Sequence, residues 1–115
     1  MQFSQDLAKG SIVPIILALL EDRPMYGYEI VKVVNARTGG LLEWKEGTLY
    51  PTLHRLQTGG LVRARWEEAA SGPAAGRKRK YYSATRRGLA ELARRKAEWK
   101  SFSTAVSAII LGTSS

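Results

Sequence analysis

Residues 47–60 read Gly-Thr-Leu-Tyr-Pro-Thr-Leu-His-Arg-Leu-Gln-Thr-Gly-Gly. Leu49, Leu53 and Leu56 recur at i, i+4 and i+7, which puts three large apolar side chains on one stripe of a short helix. Proline lacks the N–H that an interior turn uses. Pro51 is therefore expected in the first turn, with the helix starting near Gly47 or Thr48. Gly59 and Gly60 should end it, because glycine takes left-handed cap geometry without a Cβ penalty. Thr48, Tyr50, Thr52, His54 and Arg55 remain off the stripe. A narrow, mostly uncharged face of hydrogen-bonding side chains suits contact with base edges and phosphates. The stretch predicts a recognition helix anchored by its leucines.

The whole chain fits that expectation. Its 115 residues suit one domain with an appended arm. A content of 44% hydrophobic residues allows a core and argues against compositional disorder. Eighteen Lys and Arg against ten Asp and Glu give a net charge of +8, the balance of a protein that meets a polyanion. There is no cysteine, which excludes disulfides and thiolate metal sites and accords with a reducing cytoplasm. The longest apolar run, residues 12–20, is interrupted by Pro14 and is too short to span a bilayer. No membrane association and no cofactor are expected.

Working outward, residues 1–10 suggest a loose arm or a partial helical turn. Ser11 is placed to cap a first helix whose apolar face holds Ile12, Ile15, Ile16, Leu19 and Leu20. A second helix is expected over residues 25–38, with Tyr26, Ile30, Val33 and Val34 inward and Gly39-Gly40 at its end. Gly27 within it costs about 1 kcal/mol relative to alanine, which points to close packing there. Residues 41–44 suit a brief strand.

Beyond Gly60 the pattern becomes strand-like. Arg63, Arg65 and Glu67 alternate with Val62, Ala64 and Trp66. Residues 69–76 are small and turn-forming, and residues 77–84 return as a second strand, so the pair forms a wing. Thr85 can cap a last helix, in which Leu89, Leu92, Lys96, Trp99, Phe102, Val106 and Ile109 continue at steps of three and four. That seam runs for roughly 37 Å of helix, too long and too apolar near Ile109 and Ile110 for so small a domain to cover. A second copy of the chain is the expected cover.

The predicted fold is mostly α with a small β-wing: a winged helix-turn-helix domain over residues 1–84 and a C-terminal dimerisation helix over 85–115. The ordered motifs resemble those of the PadR family of transcriptional regulators. They are Gly27-Tyr28-Glu29-Ile30, Gly47-Thr48-Leu49-Tyr50-Pro51-Thr52-Leu53, Arg55-Leu56, Gly60-Leu61-Val62, Gly76-Arg77-Lys78-Arg79-Lys80-Tyr81-Tyr82, and Thr85 with Gly88. The short arm bearing Trp99 is similar to the smaller PadR subclass, which has a single final helix and no separate ligand domain. Lys78 stands where the family's wing motif usually has proline, so a less rigid wing is expected.

The resemblance implies a homodimeric, ligand-responsive repressor on a palindromic operator with ATGT/ACAT-type ends, often beside a transporter or detoxification gene. It also implies a hydroxyl contact from Tyr50 to phosphate or base, in preference to the plainer reading of a partly buried ring supporting the wing. Thr48, Pro51, Thr52, His54 and Arg55 are candidate DNA contacts, although Arg55 has Glu46 as an alternative partner. Arg77, Lys78, Arg79 and Lys80 form either a solvated charge cluster or a grip on phosphates. Lys9 and Ser11 are weaker backbone candidates. Leu89, Leu92, Trp99, Phe102, Val106, Ile109 and Ile110 are assigned to the dimer interface. By resemblance, Trp99 with Phe102 and Val106 can also line a cavity for a planar aromatic effector. His54 is the only histidine and has no second metal ligand type beside it. No paired carboxylates, phosphate loop or nucleophile motif suggests an enzyme. A non-specific RNA-binding or architectural protein and a protein-interaction adaptor are the competing classes.

Overall fold

Three leucines decide the architecture. Leu49 and Leu53 are fully buried and Leu56 nearly so, on a helix that crosses the floor of the domain. The computed structural model describes residues 8, 10–69, 72–73 and 75–113. In chain order these form α1 (Ile12–Asp22), β1 (Met25–Tyr26), α2 (Gly27–Arg37), α3 (Glu46–Thr58), β2 (Val62–Glu68), β3 (Lys78–Ala84) and α4 (Arg86–Ile110). The strands make one antiparallel sheet in the order β1-β3-β2. This is the expected winged helix-turn-helix followed by a long C-terminal helix.

The apolar stripes of α1, α2 and α3 meet in a single core, around Ile16, Leu17, Ile30, Leu49 and Leu53. Met25, Val62 and Tyr82 close it from the sheet, and Leu92 closes it from α4. Leu92 is only 2% exposed, which corrects its assignment to a dimer interface. It lies one turn beyond Gly88, where a Cβ would drive into the Leu61 carbonyl, so the start of α4 is pressed against the domain. The 84/85 boundary therefore separates secondary-structure elements, while the core runs past it.

Several local expectations are revised. Ser11 does not cap α1; its own backbone is already helical and its hydroxyl donates to the Ala8 carbonyl at 2.6 Å. Residues 1–7 and Lys9 lie outside the described residues. The second helix starts at Gly27, because Met25 and Tyr26 pair instead with Tyr82 and Tyr81 of β3. Residues 41–44 form no strand; Leu42 donates its N–H to Thr38 Oγ1, and Leu42 and Trp44 pack against the core as loop anchors. Lys78, at the family's proline position, opens β3 directly opposite Glu68, so the ladder is regular there.

Pro51 is the sixth residue of α3 rather than part of its first turn. The helix begins earlier because the Lys45 carbonyl accepts from both Thr48 and Leu49 N–H, at 2.9 and 3.0 Å. An interior proline costs about 3 kcal/mol. Burying three leucines contributes about 2 kcal/mol each, so tertiary packing outweighs the local penalty. At the other end, Gly60 takes φ +78°, Leu61 N–H returns to the Leu56 carbonyl and Gly60 N–H to that of Gln57. This pair of bonds is a Schellman cap.

Candidate nucleic-acid interface

With the leucines inward, α3 turns Thr48, Pro51, His54 and Arg55 to solvent. Thr52 does not join them. It is 3% exposed, donates its hydroxyl to the Thr48 carbonyl at 2.9 Å and accepts from Arg55 Nη2 at 3.2 Å. The reason is its phase: it stands three residues after Leu49 and four before Leu56, hence beside the apolar stripe. Thr52 thus orients the guanidinium of Arg55, and this, rather than an ion pair with Glu46, is the contact Arg55 makes.

Tyr50 occupies the flank of α3 that faces α2 and the sheet. Its ring lies across Gly27, and it remains 42% exposed. Burial, then the Glu46 carboxylate and the Tyr82 hydroxyl, push the Tyr50 hydroxyl above its ordinary pKa. Burial alone does the same to Tyr82. Both phenols therefore stay protonated at neutral pH and can donate a hydrogen bond. Tyr50 is thus a ring seated on α2 whose side chain stays partly open to solvent.

The basic run on the wing is split by strand alternation. Arg77 and Lys78 are exposed at the wing's outer end. Arg79 points to the face away from the helices, its guanidinium 4.1 Å from the centroid of the Tyr26 ring, which in turn meets Tyr81 edge-on. Lys80 points to the opposite face, where its ammonium lies 5.7 Å from the centroid of the buried Tyr82 ring. Trp66 pairs across the ladder with Lys80 and is 64% exposed. The alternation with Val62 and Ala64 suggests an inward Trp66, but none of the described residues covers it. Tyr50, Tyr82, Lys80 and Trp66 thus trace one strip from the head of α3 out along the wing. Period-two spacing from Val62 was the signal for its side but not for its exposure.

The C-terminal half of α4 is the second exposed feature. Trp99, Phe102, Ile109 and Ile110 are all exposed, and Val106 is half-buried. Leu89 is 39% exposed near the domain. The Trp99 and Phe102 rings lie 6.4 Å apart and line an open cleft of about 270 Å³ with Gly10, Pro14, Arg95 and Glu98. Val106 does not line it. Among the described residues no group of His, Cys, Asp and Glu could hold a metal ion, and no helix is long and apolar enough to cross a membrane.

The fold is shared with known proteins. The model of the PadR-like family of transcriptional regulators matches residues 16–94, from the buried part of α1 into α4. The chain belongs to the PadR-like family. This PadR-like regulator is 35% identical over 94 residues to an uncharacterized protein of Lysinibacillus sphaericus, covering 82% of this chain and 83% of that one. A transcriptional regulator of Clostridium thermocellum superposes with a TM-score of 0.83 at 30% identity, over 94% of this chain and 98% of that one. The Bacillus subtilis PadR structure, solved in complex with operator DNA, matches with a TM-score of 0.62 at 25% identity, over 74% of this chain and 45% of that one. A family of transcriptional regulators accords with the expectation that the chain is not an enzyme.

Proposed function

We propose that this PadR-like regulator is a cytoplasmic, sequence-specific DNA-binding repressor that acts as a homodimer on a palindromic operator. The observation that carries the proposal is the division of α3 into a buried leucine stripe and an exposed face of Thr48, Tyr50, Pro51, His54 and Arg55. The operator complex of the related B. subtilis protein supports it. Arg55 is the strongest base-reading candidate, since Thr52 holds one of its nitrogens and leaves the rest of the fork free. Arg77, Lys78 and Lys80 supply phosphate contacts, joined by the indole of Trp66, while Arg79 braces the wing through Tyr26.

Two copies related by a two-fold axis would enter successive major grooves, about 34 Å apart. The exposed Trp99, Phe102, Ile109 and Ile110 support α4 as the surface that holds them, with Leu89 and Val106 at its edges. Selection of random-sequence duplexes on the protein, followed by footprinting, tests the proposal. A two-fold symmetric protected site is expected. Enrichment of no sequence would point to a non-specific nucleic-acid binder, and no retention of DNA at low salt would point to a protein-interaction adaptor.

The Trp99–Phe102 cleft also supports a planar aromatic effector held between the paired α4 helices. Such a ligand releases DNA only by binding the DNA-free conformation better. Trp99 emission that stays unchanged across a panel of planar drugs and phenolic acids would remove this part of the proposal.

A further inference from the structure

We propose that Gly27 is a positioning residue for DNA recognition: its missing side chain keeps open the seat in which the Tyr50 ring lies. The inference rests on the DNA-binding role of α3 proposed above. A Cβ built on Gly27 would stand 2.6 Å from Tyr50 Cε1, 2.7 Å from its hydroxyl oxygen and 2.8 Å from Cζ. Carbon atoms in contact sit about 3.5–4.0 Å apart, so even a methyl group cannot share this space with the ring. The outer half of the ring, including the hydroxyl, is the part that Gly27 accommodates.

Backbone geometry gives no separate reason for glycine at this position. Gly27 is not among the residues with positive φ, and it opens α2, where alanine is the better helix former. The obstacle to a larger residue is the far end of one side chain. That side chain is 42% exposed, so the ring has somewhere to go. The core beneath, with Ile30 and Leu53 fully buried, need not move. Gly88 provides the contrast, because its Cβ would meet the Leu61 backbone, which cannot swing away. Alanine at residue 27 should therefore leave the fold intact and turn Tyr50 out of its place between α2 and Tyr82. Gly27 acts through Tyr50 and needs no contact with DNA.

The test is a double-mutant cycle on the full chain, read by thermal unfolding and by affinity for a duplex selected on the wild type. Gly27→Ala should unfold no earlier than wild type, yet lose about tenfold or more in affinity for the selected duplex. Its affinity for an unselected duplex of equal length should change far less. Tyr50→Ala should lose a similar factor, and Gly27→Ala/Tyr50→Ala should bind no worse than Tyr50→Ala alone. Wild-type affinity in Gly27→Ala, or a double-mutant loss equal to the product of the single losses, would overturn the inference. If Gly27→Ala does not fold, the double mutant should recover a cooperative transition, since the added methyl then has room; no recovery also overturns it. A wild type that enriches no duplex would strike the DNA-binding proposal itself, and that result is visible before any variant is made.

Discussion

Helix α3 and the outer half of α4 are built on the same apolar spacing and end in opposite environments. Leu49, Leu53 and Leu56 are sealed inside their own subunit, whereas Trp99, Phe102, Ile109 and Ile110 face solvent. Leu92 marks the change within α4 itself, being 2% exposed two turns before Trp99 at 66%. Periodicity therefore reports that a face is apolar, and the size of the neighbouring domain decides what covers it. A leucine in α3 is a stability residue. An aromatic or isoleucine late in α4 is free to contribute to association.

The sharpest way to break this contrast is Leu53→Ala. Emptying that buried site should cost about 2–5 kcal/mol in chemical denaturation, enough to unfold much of the chain. Leu92→Ala should fall in the same range, while Ile109→Asp should leave the single-subunit fold intact and appear as dissociation in sedimentation velocity. Equal unfolding by Ile109→Asp would place that residue in a core. Next in size, Arg55→Ala on the exposed side of α3 should lose about 1–3 kcal/mol of discrimination between selected and unselected duplex. Lys78→Ala should weaken both duplexes alike and lower the salt slope by about one.

Smaller effects sharpen where the two regions join. Thr85 Oγ1 accepts the Gly88 N–H at 3.0 Å, so Thr85→Ala should cost about 1 kcal/mol of thermal stability. The least effect is expected from Glu91, whose carboxyl is held down at about 2 by hydrogen bonds from Arg94 and Arg95. A depressed carboxyl stabilises the fold above its unfolded value and loses that contribution as pH falls. Acid unfolding of wild type and Glu91→Gln should thus converge between about pH 4.5 and 2, with wild type slightly more stable above that window. The ion pairs lie at the surface, where solvent screens them, so a difference at neutral pH should remain small.

Much of the fold was legible because its elements are long and strongly patterned. The leucine stripe, the wing and the last helix each carry enough residues for a period to stand out. The two-residue β1 does not; Met25 and Tyr26 become a strand only because Tyr81 and Tyr82 offer an edge to pair with. Thr52 was misplaced for a different reason. Its polarity suggests the exposed face, but its phase puts it beside Leu56, and its hydroxyl finds a partner in the Thr48 carbonyl. The split of residues 77–80 between two faces follows from strand alternation and was open to inference. The exposure of Trp66 was not, since it depends on what the folded chain places over that side of the strand. At Gly27 the sequence indicates tight packing, and the fold supplies Tyr50 as the neighbour from 23 residues further along the chain.

The turn at Gly60 has a mechanical consequence. Its carbonyl accepts the Thr85 hydroxyl at 2.7 Å, Thr85 N–H bonds the Leu61 carbonyl at 3.1 Å, and Gly88 is pressed on that same peptide. The exit of α3 and the entry of α4 are thus riveted at one point instead of being joined through the wing. A change in the pitch of the long helix would reach α3, the helix proposed above to meet DNA, as by a crank through this one contact.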